Sequence, residues 1–309
     1  IVNVAHSIPL IVTGTTTGIG NHLLHQLLAA GHSVIATARK PESLQKQLAE
    51  KYDAETLKRS LVVKVDVTKP EEVKAAFDEA VAKFGLIDIV VNNAGYAVVG
   101  ETETCPMDEA RAQFEVMFWG VVHVTKEALR VFREVNPAGR GGQLFNVSSS
   151  GGYCAQPTLP YYNSAKFALE GFTESVRKEM SPEWNIQASI IEPGGFNTEW
   201  RGSNMSILPI HPAYDTPTNP VKQYRDMFNA LPFIGNPERG AKAFLQLAGR
   251  RDLPLRIQFG SDSLAIVRHT AQKTINDTNK FEELSHSTNV DGIDPPTYTK
   301  QLLSYLGSA

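Results

Sequence analysis

Tyr162 and Lys166 lie four residues apart in the stretch Tyr161-Tyr162-Asn163-Ser164-Ala165-Lys166. On a helix that spacing puts both side chains on one face. An ammonium beside a phenol favours the phenolate and lowers its pKa from about 10. A tyrosine tuned in this way gives or takes a proton near neutral pH. Tyr161 lacks the spacing, so the register selects Tyr162. A surface helix with an incidental Tyr/Lys pair is the plainer alternative. Thirteen positions before Tyr162 stands Ser149, in Asn146-Val147-Ser148-Ser149-Ser150. Its hydroxyl could hydrogen-bond a carbonyl oxygen held beside the tyrosine, or simply stabilise its own loop.

A second constellation lies near the start of the chain. Thr13-Gly14-Thr15-Thr16-Thr17-Gly18-Ile19-Gly20 follows the apolar run Ile8–Val12 and opens into the helix-like Asn21–Ala30. That is strand, glycine turn, helix. Glycines let backbone approach a pyrophosphate, and a helix N-terminus points free N–H groups and partial positive charge at it. The spacing is G-x-x-x-G-x-G, neither the commoner G-x-G-x-x-G nor a P-loop. A turn that merely needs small residues is the alternative here.

The elements that must position these residues alternate between strand and helix through the first two-thirds of the chain. Strands are expected at 8–12, 33–38, 61–67, 86–91, 143–147 and 186–191, and a last one at 255–259. Helices are expected at 41–52, from Pro70 with Thr68 as its cap, at 108–133, 161–180 and 237–248. The tail beyond Asp262 reads as helical to about 281. Near-continuous apolar strands alternating with helices predict an α/β fold. It is one doubly wound, Rossmann-type parallel sheet of about seven strands with helices on both faces. The chain, 1–309, reads as a single dinucleotide-binding and catalytic domain. It has a structureless lid at about 195–236, rich in Gly, Pro, Asn and Ser, and a C-terminal extension at about 261–309.

The totals exclude several classes. Of 309 residues 42% are hydrophobic and 20% charged, as in an ordinary globular protein. Net charge is -3 without a basic run, which argues against nucleic acid as a partner. Two cysteines, Cys105 and Cys154, make a disulfide framework or a cysteine metal site improbable, and no metal is expected. No apolar run is long enough to span a membrane and no signal peptide is evident, so a cytoplasmic location is expected.

Taken together, the chain resembles the short-chain dehydrogenase/reductase family in its common single-domain form. The matching pieces are Thr13–Gly20, Asp66-Val67, Asn92-Asn93-Ala94-Gly95, Ser149, Tyr162-x-x-x-Lys166, and Pro193-Gly194 with Thr198 four residues on. They occur in the family's order and spacing. The resemblance implies a nicotinamide cofactor and hydride transfer to or from a carbonyl carbon. Tyr162 would be the proton donor, Lys166 would hold the nicotinamide ribose, and Ser149 would orient the carbonyl. Gly14, Thr16, Thr17, Gly18, Ile19 and Gly20 would cradle the dinucleotide. Asp66 and Val67 would meet the adenine, Asn93, Ala94 and Gly95 would line the cofactor, and Pro193, Gly194 and Thr198 would border the nicotinamide.

Cofactor type is read at the end of the second strand. A carboxylate there would bind ribose hydroxyls and repel a 2′-phosphate. This chain has Ala38, then Arg39 and Lys40, which favours NADP(H) over NAD(H). In one place it departs from the family. Phe114-Glu115-Val116-Met117-Phe118-Trp119-Gly120 carries Met117 where members usually have an Asn that supports a proton-carrying water. A thioether is a weak acceptor and no donor. The leading expectation is an NADPH-dependent reductase of a ketone or aldehyde. A non-redox cyclase or isomerase, or a dinucleotide-sensing regulator, is the alternative. Tyr96, Met117, Tyr153, Phe196 and Trp200 are expected to line a roomy apolar pocket for a bulky small molecule such as a steroid or polyketide. An apolar stripe including Phe118, Phe167 and Phe172 is compatible with a homodimer or homotetramer.

Overall fold

The computed structural model describes residues 7–307. The ends of the 1–309 span, residues 1–6 and 308–309, lie outside them. In chain order the elements are β1 (Pro9–Thr13), α1 (Gly18–Ala29), β2 (Ser33–Ala38), α2 (Glu42–Lys51), α3 (Ala54–Lys58), β3 (Ser60–Lys64) and α4 (Pro70–Phe84). Then come β4 (Ile89–Asn92), β5 (Ala97–Val99), α5 (Met107–Phe114), α6 (Gly120–Arg130), β6 (Gly142–Val147), α7 (Pro160–Glu179) and β7 (Ile186–Pro193). The remainder is β8 (Met205–Ile207), α8 (Pro220–Ala230), α9 (Pro237–Leu247), β9 (Arg256–Phe259), α10 (Ser261–Lys280), α11 (Glu282–Ser287) and α12 (Pro295–Gly307).

Seven strands form one parallel sheet in the order β3-β2-β1-β4-β6-β7-β9. Strand alternation divides the core into two layers. Leu10 and Val12 face one way, packing with Leu23, Leu27, Leu44, Leu48 and Phe244 from α1, α2 and α9. Ile11 faces the other way, packing with Val73, Phe77, Val124 and Ala128 from α4 and α6. The strand order reverses between β1 and β4, which opens a crevice at their carboxyl ends.

The departures from the sequence reading have local causes. Pro70 begins α4 as expected, but Lys69 is its N-cap and no side chain caps it. The Thr68 hydroxyl is spent on Asp66, donating to Oδ1 at 2.8 Å. The long helix expected at 108–133 is α5 and α6, joined by a π-helical turn, Glu115–Trp119, that carries Met117, and followed by a second, Val131–Val135. The segment 195–236 is not structureless. It holds α8, and β8 pairs in parallel with β5 beside the main sheet. Short polar caps made this possible, as Asn219 accepts from the Val221 N–H at 2.9 Å. The tail continues past residue 281 into α11 and α12, which leave Phe281 and Leu303 exposed.

Candidate active site

The crevice is built first by backbone. Gly14 sits at φ +68°, and a Cβ there would lie 2.8 Å from Ala94 Cα. Gly20, one turn into α1, passes so close beneath the loop that a Cβ would stand 2.4 Å from the Gly14 carbonyl oxygen. Only glycine satisfies both places. The loop is then locked from β4. Thr13 Oγ1 accepts from the Asn93 and Ala94 N–H groups at 2.9 and 3.0 Å. Asn93 Nδ2 returns hydrogen bonds to the Thr13 and Gly14 carbonyls at 2.9 and 3.1 Å. The Asn93 side chain is thus a brace for the turn. At the head of α1, Thr17 makes no side-chain cap and the first turn carries no acidic residue. Its N–H groups face the crevice without a side-chain partner, which is the environment an anion needs.

Gly14, Thr16, Thr17, Gly18, Ile19, Arg39, Asp66, Val67, Asn93, Ala94 and Gly95 line one continuous cleft with Ser149, Tyr162, Lys166, Pro193, Gly194 and Thr198. Tyr96, Phe196 and Trp200 line it too. Four of the expected residues do not. Gly20 lies under the loop, Lys40 points to solvent beyond the rim, and Tyr153 lies outside the lining. Met117 is fully buried, packed with Ala97, Val99, Leu159, Tyr162 and Ala165. The π-helical turn places it beneath Gly95, so it is a core residue supporting the cleft from behind. Arg39 stands exposed at the far end, and no carboxylate among the described residues pairs with it.

At the other end α7 presents Tyr162 and Lys166 on the same face, 7% and 6% exposed. Lys166 Nζ lies 5.9 Å from the Tyr162 ring centroid and donates to the Val147 carbonyl at 2.7 Å. Ser149 Oγ accepts from the Gly151 N–H at 3.0 Å and lines the cleft beside the Tyr162 phenol. The tyrosine's acidity differs from the sequence expectation. Burial is the largest influence and pushes the phenol up to about 12, the Ser149 contact pulls it down, and Tyr224 pushes it further up. The Lys166 ammonium is itself buried, which lowers it to about 8, and it is bound to a backbone carbonyl. Desolvation therefore outweighs the charge that the four-residue spacing supplies.

The segment after β7 closes the cleft. Asn204 Nδ2 donates to Thr17 Oγ1 at 3.0 Å, tying it to the glycine loop. Trp200 meets the Tyr162 ring at 5.7 Å between centroids, edge to face, and packs in turn on Phe228 and Phe233. The Arg201 guanidinium lies between those two rings, 4.2 and 3.7 Å from their centroids. Trp200 was expected here; Arg201, Asn204 and Phe233 were not, because long-range closure leaves no mark on local spacing.

A doubly wound sheet, a glycine cradle at its switch point and a Ser–Tyr–Lys set at one end define a class. The chain belongs to the short chain dehydrogenase family of oxidoreductases, whose profile matches residues 9–206. Its relatives include the uncharacterized oxidoreductase C162.03 of Schizosaccharomyces pombe, 36% identical over 288 residues, 93% of each chain. Oxidoreductase calM of Penicillium decumbens is 36% identical over 282 residues, 89% of this chain and 90% of that one. Among solved structures, a short-chain dehydrogenase from Streptomyces avermitilis superposes with a TM-score of 0.80 at 29% identity. It covers 92% of this chain and 98% of that one. A Burkholderia cenocepacia short chain dehydrogenase, solved in complex with NADP, shares the fold at 22% identity and a TM-score of 0.67, covering 89% and 97%. Among the described residues no helix is long and apolar enough to cross a membrane.

Proposed function

We propose that the chain is an NADPH-dependent reductase of a ketone or aldehyde carried on a bulky, largely apolar small molecule. The observation that carries the reading is the single cleft joining the uncapped head of α1 to Ser149, Tyr162 and Lys166. The residues present fit a nicotinamide dinucleotide. The α1 N-terminus takes the pyrophosphate and Asp66 and Val67 flank the adenine. The unpaired guanidinium of Arg39 takes a 2′-phosphate, as a bidentate donor suited to that group. Lys166 holds the nicotinamide ribose, with Pro193, Gly194 and Thr198 beside the ring.

The bound dinucleotide supplies the hydride. The chain supplies the rest. Ser149 donates to the substrate carbonyl oxygen and fixes it beside Tyr162. The phenol, held protonated by burial, gives its proton to that oxygen as negative charge develops there. Trp200, Phe196 and Tyr96 present apolar surface around the reacting carbonyl, while Met117 packs behind the tyrosine. Trp119 and Phe167, exposed on neighbouring helices, are the surface a second copy would cover.

A screen of carbonyl compounds tests the reading by loss of NADPH absorbance. NADPH should be consumed one for one with product, and NADH far more slowly. Conversion of a substrate without net NADPH loss would favour a non-redox role instead.

A further inference from the structure

The seam between β7 and β9 ends at the cleft, and the way it ends fixes more than the sheet. At the start of β9, Arg256 Nε lies 3.2 Å from Glu170 Oε2 and 3.5 Å from Glu192 Oε1. At its end, the Gly194 N–H donates to the Phe259 carbonyl at 2.9 Å, the last rung of the seam. The chain then leaves β9 through Gly260, at φ +102°, and enters α10. The Gly195 N–H, one residue past that rung, has no strand left to pair with. A backbone N–H in so packed a place needs an acceptor. Asp262, in the first turn of α10, supplies it: Oδ2 accepts from the Gly195 N–H at 2.7 Å. The carboxyl lies flat against Gly194, where a Cβ would fall on it, and a Cβ on Gly260 would stand 2.5 Å from Oδ1. Ser263 docks the same helical turn by donating to the Glu192 carbonyl at 2.7 Å.

Gly195 is also the base of the segment that closes the cleft. Its carbonyl accepts from the Gly235 N–H at 2.8 Å, and the Gly235 carbonyl accepts from the Asn197 N–H at 2.9 Å. The two ends of the 195–236 segment are joined there, Phe196 pairing with Gly235. The Phe233 ring packs against Gly195, leaving no room for a Cβ, and meets Trp200 at 6.1 Å between centroids. Trp200 in turn meets Tyr162 at 5.7 Å. Every link from Asp262 to Tyr162 is thus a direct contact.

We propose that Asp262 is a positioning residue, whose carboxylate locks Gly195 and so sets both the Gly194 border of the cleft and Trp200 over Tyr162. The effect on turnover rests on the reductase reading; the lock itself does not. Two adjacent glycines have no side chains to hold them and make a soft joint. A carboxylate is the acceptor suited to stiffen it. A hydrogen bond to a charged acceptor is roughly twice as strong as a neutral one, and the start of α10 favours negative charge. The C-terminal extension in this way completes a cleft whose lining ends at Asn204.

Residue-resolved amide hydrogen exchange in the cofactor-free protein tests the lock. In Asp262→Ala the Gly195 amide should exchange about thirtyfold faster, with Asn197 and Gly235 following. Asp262→Asn keeps a neutral acceptor and should stop at about fivefold. Ser263→Ala is the control, since it frees the same turn from Glu192 and should leave Gly195 exchanging as in the wild type. Equal acceleration in Ser263→Ala and Asp262→Ala would mean only that α10 must dock, and overturns the proposal. Unchanged exchange in Asp262→Ala overturns it too. Turnover is the second readout. Asp262→Ala should lower kcat about tenfold and weaken NADPH binding about threefold in a fluorescence titration, with Ser263→Ala within about twofold in both. Asp262→Asn should recover most of the loss. A purely structural role would lower the melting temperature of Asp262→Ala and leave the kcat of the folded protein unchanged, which overturns the positioning. Should Asp262→Ala not fold, Asp262→Asn decides, and wild-type exchange at Gly195 overturns the lock. Accelerated Gly195 exchange in Asp262→Ala, when the wild type consumes no NADPH with any carbonyl, would sink the reductase reading and leave the lock standing.

Discussion

The two ends of the cleft are built by different means. At the head of α1 the working groups are backbone: N–H donors, a carbonyl-lined turn at φ +68°, and two glycines with no room for a Cβ. At α7 the working groups are side chains, and their properties come from burial. Lys166 and Tyr162 have the spacing of a charge-tuned pair, yet desolvation moves both away from their ordinary values in opposite directions, the phenol up and the ammonium down. A backbone site depends on geometry and fails when geometry is violated. A side-chain site depends on its dielectric surroundings and is adjusted by groups a turn or a strand away.

The largest expected effect lies at the α7 end. Tyr162→Phe removes the only proton on the phenol while keeping the ring against Trp200. The reductase kcat should drop about 1,000-fold, within the usual range for loss of a general acid, with NADPH affinity unchanged in a fluorescence titration. Full activity in this variant would remove Tyr162 from the mechanism. The complementary test at the α1 end is Gly14→Ala. A side chain there meets Ala94 Cα and must adopt a left-handed backbone, a strain of about 2 kcal/mol. NADPH affinity should weaken roughly 30-fold. The catalytic set should remain, so kcat at saturating cofactor should hold. Equal losses of kcat and affinity in both variants would erase the distinction between the two ends.

That distinction also decides what can be read from sequence. Gly14, Gly18, Tyr162 and Lys166 announce themselves because a turn or a helical period forces their residue types into fixed spacing, and Ser149 is singled out from its neighbours by the family resemblance. The seven strands are legible for the same reason, through alternation and apolar runs. Glu192 and Arg256 are 64 residues apart in the chain and meet only because β7 and β9 are neighbours in the sheet, so no local pattern joins them. Glu170 does carry a signal, its four-residue spacing from Lys166. It reads as an ordinary exposed helical glutamate until the packing of Gly152 and Ser148 over it is seen. A glycine Cβ at 152 would lie 2.4 Å from Glu170 Oε1. Tyr162 and Met117 show the same limit from the other side, since their spacing was clear and their burial was not.

Arg39 sits at the most exposed point of the backbone-built end. Arg39→Ala should raise the KM for NADPH about tenfold at low salt and leave NADH kinetics unchanged. The loss should shrink as ionic strength rises, as it must for a solvent-facing charge. Parallel changes for NADPH and NADH would remove the 2′-phosphate from the account and make Arg39 a general rim charge.

The smallest effect is expected at Met117, where the family resemblance suggested the largest anomaly. Met117→Asn would place an amide among Ala97, Val99, Leu159 and Ala165, all buried. Burying an unpaired amide costs about 1–3 kcal/mol, so the melting temperature should fall. If Asn were needed to carry protons, its return should raise the rate strongly. As a core residue outside the cleft lining, it should change kcat by no more than about threefold in either direction. The informative measurement is kcat read beside the melting temperature in Met117→Asn. A strong gain in rate would give the amide a proton path of its own and make position 117 part of the site. A lower melting temperature with kcat held would keep it in the core that supports the cleft from behind.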